Sequence, residues 1–528
     1  MNHPHYHNTY VDTRGFVDEP LTFTQAIVRG IAPGGGLFVP KVLPRFALDD
    51  LLALASKPYA VRAAEVFKAF GVDLPSETID ACMEGAYSTN FDAPEITPIK
   101  QLDSETFVLE LFHGPTLAFK DLALQCMPRF FSAAIDTLRA QDAPEAREDF
   151  LILVATSGDT GKAALEGFAN RAHTSIIVYY PFGGVSDLQQ AQMLTTLGSN
   201  VSVCGLRGNF DDCQTAVKQV FGDEAFKEDL ATTQGLRFSS ANSINWGRLL
   251  PQVVYYVSAY AQMVASGAVQ AGEPIDVCVP TGNFGNILAA WYAAEAGVPI
   301  EQLFCASNTN RVLTDFINTG VYDIRERSFV ATPSPSMDIL VSSNLERLLF
   351  ELNGRNPEQI QAWMQELNSE KRFVADKQTF AALRERFSAD WVSVEDSLAT
   401  IREVYETYDY LLDPHTAVAY KVAERLRGAN PVLVVATAHW CKFGADVYKG
   451  LTGIKAGDAL PQELADLGGF ALNRYLSEHF EHAGAVPERM AELEGMEHRF
   501  GEVCDADYAA IKESILLSLP LIVDRSEL

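Results

Sequence analysis

The chain has 528 residues, with 41 Lys and Arg against 69 Asp and Glu, a net charge of −28. Binding of a phosphate backbone needs clustered cations, so a general basic field for nucleic acid is excluded. With 48% hydrophobic and 21% charged residues, the composition is that of a globular protein rather than a disordered chain, and the length allows about two to four domains around a large core.

The start, Met1 to His7, has neither a basic leader nor an apolar segment, so it does not read as a secretory signal, and His3, His5 and His7 read as a loose terminus rather than a metal site. No run approaches the ~18 to 20 apolar residues of a membrane span; the longest late patch, Ile515 to Val523, is interrupted by Ser518 and Pro520. A cytoplasmic location without membrane contact is expected. The eight cysteines form no CxxC pair and read as reduced, buried thiols, with no metal called for.

From residue 20 to 95 the pattern is helical: Leu21 to Ile31 ends at Gly34-Gly35-Gly36, and Val61 to Phe70 has helical apolar spacing. Short β-branched runs follow, each leading into a small-residue loop and a helix: Thr106 to Leu111, Phe150 to Thr156, Ser175 to Pro181, Asn200 to Leu206, Asp276 to Thr281 and Pro431 to Thr437. Runs without alternation suit parallel strands buried on both faces, so the predicted class is α/β, with open, mostly parallel sheets and helical crossovers. Ligands of such sheets lie beyond the carboxyl ends of the strands. A charged section, Asn353 to Tyr408, reads as helical, including Glu358 to Arg372 and Ala381 to Ala389, and is expected to cover the sheet. Residues 456–528 hold 15 acidic and 5 basic residues, net −10, and read as a helical C-terminal extension.

Three loops stand out. The first, Thr156-Ser157-Gly158-Asp159-Thr160-Gly161-Lys162, passes from a strand to a helix, where amide N–H groups without intrahelical partners can hold a carboxylate or phosphate; a capped turn is the plain alternative. The nucleotide pattern GxxxxGK[ST] fails, with Thr156 in place of the first glycine and Ala163 in place of the hydroxyl. The second, Pro280-Thr281-Gly282-Asn283-Phe284-Gly285-Asn286, is a phosphate cup by the same logic, and it is not GxGxxG. Two cups suggest a ligand, or a pair of ligands, with two anionic groups. The third, His113-Gly114-Pro115-Thr116-Leu117-Ala118-Phe119-Lys120-Asp121, sets a lysine in an apolar frame. Such a lysine either snorkels to water or is a desolvated amine that joins a carbonyl cofactor. Asp121 and Asp159 can be read as helix caps.

The Lys120 segment resembles the cofactor-lysine signature of the threonine synthase family, pyridoxal-phosphate enzymes of the tryptophan-synthase-β fold type. Similarity recurs in order at Tyr10 to Gly15, Thr156 to Gly161, Ser240 to Arg248, Pro280 to Asn286, Asp413-Pro414-His415-Thr416-Ala417-Val418-Ala419-Tyr420 and Thr437-Ala438-His439. The chain then divides into three expected parts: a mainly helical N-terminal domain over 1–100, a two-lobed region over 101–455 that the resemblance implies is the pyridoxal-phosphate catalytic part, and the acidic helical extension over 456–528, which the resemblance does not cover. It implies Lys120 as the lysine that carries pyridoxal 5'-phosphate and acts as catalyst. Gly282, Asn283, Phe284, Gly285 and Asn286 would hold the cofactor phosphate, and the Thr437 hydroxyl would meet the ring nitrogen. Thr156, Ser157, Gly158, Asp159 and Thr160 would hold the substrate carboxylate, while Asn242, Ser243 and Arg248, with Thr160, would hold the substrate phosphate. The implied reaction converts O-phospho-L-homoserine and water to L-threonine and phosphate, in a monomer or weak homodimer. A serine or threonine dehydratase, or a silent cofactor-binding protein, are the alternatives. His113 and His439 read as supporting residues. Trp440-Cys441 stand where the family commonly has Pro-Ala, and the residues after Lys455 look longer than the family's usual ending.

Overall fold

The computed structural model describes residues 7–156 and 158–523; Ser157, His3 and His5 lie outside the described residues. Two open sheets organise the chain. One has six strands in the order Phe387–Trp391, Ile300–Ser307, Ile275–Pro280, Val432–Ala436, Thr106–Glu110 and Ile99–Gln101. Its neighbours are parallel except the last pair. The other has five parallel strands in the order Val503–Asp505, Val201–Arg207, Thr174–Pro181, Asp149–Ala155 and Leu236–Ser239. All eight residues of Thr174–Pro181 are buried, which is why the run lacks alternation. The 20-residue helix Trp246–Ala265 packs against the helices Gly285–Glu295 and Lys120–Leu124, and nearly all of its residues are buried. Among the described residues no helix is long and apolar enough to cross a membrane.

Residues 7–100 carry the helices Phe23–Arg29, Leu48–Leu54, Tyr59–Ala69 and Ser76–Tyr87, and a small antiparallel pair joins Tyr10–Asp12 to Phe38–Pro40. Two expectations need correction. The helix predicted over Ala381 to Ala389 ends at Arg386, and Phe387–Trp391 is an edge strand parallel to Ile300–Ser307, registered Leu303 to Phe387. The C-terminal extension is not wholly helical. Between its helices Gly468–His479 and Tyr508–Ile522 lies the strand Val503–Asp505, which completes the five-stranded sheet.

That extension also receives the Trp440-Cys441 departure. The Trp440 indole N–H donates to the Ala483 carbonyl at 2.9 Å, and Asn473 Nδ2 donates to the Cys441 carbonyl at 2.7 Å. Trp440→Phe keeps most of the ring volume but leaves the Ala483 carbonyl without its donor. It is expected to cost about 1–3 kcal/mol in urea unfolding, and an unchanged midpoint would show that this contact does not anchor the segment.

Candidate active site

The site forms where loops leave the carboxyl ends of neighbouring strands. Lys120 ends the loop after Thr106–Glu110, and Thr437 follows the adjacent strand Val432–Ala436. The two loops are stitched together: Phe119 N–H donates to the Thr437 carbonyl at 2.8 Å, and His439 N–H donates to the Leu117 carbonyl at 3.1 Å. Asp121 closes the lysine loop, its carboxylate accepting from Thr116 N and Thr116 Oγ1, both at 2.8 Å. A Cβ on Gly114 would lie 2.5 Å from the Asp121 side chain, so this position admits only glycine. Burial pushes the Asp121 carboxyl up to about 6 despite those bonds. Asp121 therefore folds back on its own loop rather than capping a helix.

Lys120 Nζ donates to Ser336 Oγ at 3.3 Å and lies 3.9 Å from Asp159 Oδ2. Burial pulls its pKa down to about 8 against the attraction of Asp159, and the charges of Lys442 and Arg248 add to the fall. Asp159 is not a cap either: its Oδ1 pairs with Lys442 Nζ at 2.9 Å and accepts from Gln189 Nε2 at 3.1 Å. Burial opposes the Asp159 charge, yet Lys442 and Lys120 outweigh it and hold the carboxyl well below the usual carboxylate range.

In the first cup the Thr156 hydroxyl accepts from Gly158 N at 3.0 Å and Gly161 N at 2.9 Å. Thr156 and Asp159 thus brace the loop with their side chains, and Gly158, at φ 133°, opens the helix Asp159–Phe168, whose first turn also carries Thr160. In the second cup Phe284, at φ 64°, precedes the helix Gly285–Glu295, which has no side-chain cap. A Cβ on Gly282 would meet the Ser336 carbonyl at 2.4 Å. Asn286 is buried; its Oδ1 accepts from Tyr255 and Tyr256 at 2.6 and 2.5 Å, while its Nδ2 has no partner. A buried orphan donor on the first turn of an uncapped helix suits a phosphate, so the cup fits pyridoxal 5'-phosphate.

Arg248 lies on the first turn of Trp246–Ala265, in the loop region that follows the strand Leu236–Ser239. It is 5% exposed, its Nε has no partner, and among the described residues it forms no ion pair. Burial lowers its pKa to about 10, so the guanidinium stays charged at neutral pH. Its Nη1 donates to the Ala241 carbonyl, and a buried cation without a carboxylate partner among the described residues suits an anion. Ser243 sits beside the second cup through Asn344, whose Nδ2 donates to the Ser243 carbonyl at 3.3 Å and whose N–H donates to the Asn283 carbonyl at 3.1 Å. Asn242 and Asn283 are exposed, and the Asn242 side chain accepts from Ser243 Oγ in its own loop.

Ser336, Lys442, Gln189, Asn344 and Arg347 were not singled out from sequence. Arg347 is fully buried and holds Asn344 Oδ1, the Ile244 carbonyl and the Phe38 carbonyl. The Pro335–Met337 turn gives no periodic signal. His113 is held between Asp92 and Glu110, at 2.7 and 2.8 Å. A cavity of about 450 Å³ borders the site, taking in Gln189, Pro335, Lys442 and Asn473.

Three family models match the chain: threonine synthase N terminus over residues 9–87, pyridoxal-phosphate dependent enzyme over 91–438, and threonine synthase C-terminal over 416–515. The threonine synthase of Pseudomonas aeruginosa is 37% identical over 498 residues, covering 93% of this chain and 98% of that protein. The chain belongs to the threonine synthase family. It is also 42% identical over 502 residues to threonine synthase-like 1 of Macaca fascicularis, covering 93% of this chain but 65% of that protein, so it spans about two thirds of that relative's length. The crystal structure of pyridoxal-phosphate-bound threonine synthase from Brucella melitensis superposes with a TM-score of 0.81 at 37% identity, covering 96% of this chain and 98% of that one. The cofactor is pyridoxal 5'-phosphate and the fold is that of its fold-type II enzymes. The C-terminal match reaches residue 515, so most of the acidic extension is part of the family's chain, against the expectation of an unusually long ending.

Asp159→Asn removes one member of a buried pair and strands Lys442. It is expected to destabilise the protein by about 3–5 kcal/mol, with Asp159→Asn combined with Lys442→Met recovering part of the loss. Strictly additive costs in urea unfolding would show that the two side chains do not interact.

Proposed function

We propose that the protein is a threonine synthase, converting O-phospho-L-homoserine and water to L-threonine and phosphate. The observation that carries this reading is Arg248, a buried guanidinium without an ion-pair partner, whose charge reaches a lysine poised near neutral pH. A dehydratase substrate with an uncharged hydroxyl would leave that guanidinium unpaired.

In this reading Lys120 carries the cofactor, the Gly282–Asn286 cup holds its phosphate, and the Thr437 hydroxyl meets its ring nitrogen without imposing a full charge. The bound cofactor withdraws electrons from the substrate's amino nitrogen and so acidifies the neighbouring carbon-bound protons. The chain supplies the rest. Backbone amides of Asp159 and Thr160 hold the α-carboxylate at the start of the helix Asp159–Phe168. Arg248, Ser243 and Asn242, with Thr160, hold the phosphate ester, the guanidinium binding its oxygens bidentately. Lys120, with its pKa near 8, exchanges protons readily near neutral pH. It takes protons from Cα and Cβ of the substrate, phosphate leaves Cγ, a proton is returned to Cγ, the hydroxyl of a water adds at Cβ while the water's proton passes to the departing phosphate, and a proton is returned to Cα.

The test is direct: incubate the purified chain with pyridoxal phosphate and O-phospho-L-homoserine and measure phosphate and threonine. Equal release of both is expected, and Lys120→Ala should abolish it. Arg248→Ala should raise KM about 100-fold, the scale of one lost charge-assisted pair, while cofactor absorbance persists. Absence of threonine, or faster keto-acid release from serine, would overturn the assignment.

A further inference from the structure

We propose that Ser336 is a further catalytic residue, holding Lys120 Nζ in both of its protonation states, and that His415 with Asp413 is the pair that positions it. The inference rests on Lys120 being the reactive lysine of the reaction proposed above.

The geometry is a continuous chain of bonds. Lys120 Nζ donates to Ser336 Oγ at 3.3 Å, and Ser336 N–H donates to His415 Nε2 at 3.2 Å. His415 Nδ1 lies 2.6 Å from Asp413 Oδ2. Nδ1–H donates to the carboxylate, which fixes the tautomer and leaves Nε2 as the acceptor that the Ser336 amide needs. Asp413 is itself fixed as the N-cap of Pro414–Leu426, accepting from His415 N at 3.0 Å and Thr416 N at 3.1 Å. Both Asp413 and His415 are only 2% exposed. The turn is clamped on its other side as well. Asp338 accepts from Thr332 N and Oγ1 and from Asn308 and Asn310, and Gly282 leaves no room between the cup and the Ser336 carbonyl.

The chemistry asks for such a group. A lysine that takes and returns protons needs a neighbour that accepts from its ammonium and donates to its free amine. A hydroxyl does both without adding charge. Asp159, 3.9 Å away, favours the ammonium alone, and Asp121 acts in the same sense, while Lys442 and Arg248 oppose it.

Competitive acetylation of Lys120 across pH, read by mass spectrometry on the full chain before cofactor is added, tests the contact apart from turnover. The wild-type midpoint should lie near 8. Ser336→Ala should move it down by about half a unit to one unit, because the bond the hydroxyl accepts from the ammonium is charge-assisted and stronger than the one it donates to the free amine. His415→Leu should move it the same way, and His415→Gln, whose carboxamide oxygen can accept from Ser336 N–H, should restore most of it. In the holoenzyme, Ser336→Ala should lower kcat about tenfold with KM nearly unchanged. An unmoved midpoint in Ser336→Ala overturns the proposal. A His415→Leu chain with reduced kcat but a wild-type midpoint overturns the positioning role. A wild-type chain that makes no threonine while the midpoint still shifts in Ser336→Ala would count against the reaction and uphold the contact.

Discussion

The Lys442 ammonium has almost no exposure to water, yet it satisfies groups from separate parts of the fold. It pairs with Asp159 at 2.9 Å, donates to the Thr116 carbonyl at 2.7 Å and reaches Gln192 Oε1 at 3.5 Å. Asp159 follows a strand of the five-stranded sheet, Thr116 belongs to the lysine loop, and Lys442 follows the strand Val432–Ala436 of the six-stranded sheet. A buried charge is tolerated only where its partners are fixed. The distance between the Asp159 loop and Lys120 is therefore set by a bond that neither sheet can make alone. Burial, together with the same charge, depresses the Lys120 pKa, so the element that aligns the halves also tunes the Lys120 amine.

The C-terminal segment works on the same joint from outside. Asn473 and Ala483 hold the backbone and indole of Cys441 and Trp440, immediately before Lys442, while Val503–Asp505 pairs with Val201–Arg207 at the edge of the other sheet. Tyr508–Ile522 packs on the helix Phe210–Gly222 behind that strand. A segment fastened at both ends to different sheets restrains their relative position, which is a structural reason for the family's chain to continue past the last central strand.

Six strands were legible because each is a largely buried, mostly apolar run, as in Thr174–Pro181. Phe387–Trp391 was not, since it follows the helix Lys377–Arg386 without a breaker and is defined by pairing with a strand some 80 residues earlier. The loops at the strand ends could be found by their glycines and hydroxyls, and the resemblance named their roles. Spacing could not show which side chains would be used internally. Thr156 and Asp159 look like ligand contacts in sequence, but their polar atoms brace their own loop and Lys442. Ser336 lies 216 positions from Lys120, in a turn shaped by Pro335 and the Asp338 network, and no local pattern connects them.

The net charge of −28 and the anionic ligands are reconciled by distance and burial. Surface carboxylates are screened over about 8–10 Å at ordinary ionic strength, and many of the 69 acids are exposed or already paired. Around Lys120 the buried charges are Lys120, Lys442 and Arg248 against Asp159 and Asp121, and burial holds Asp121 partly protonated toward pH 6. The local balance is thus positive, and it is supplemented by the starts of the helices Asp159–Phe168 and Gly285–Glu295. Because the Asp159 carboxylate is taken by Lys442, it presents little negative charge to an incoming anion, and the N–H groups at the start of its helix carry positive ends that cannot titrate away.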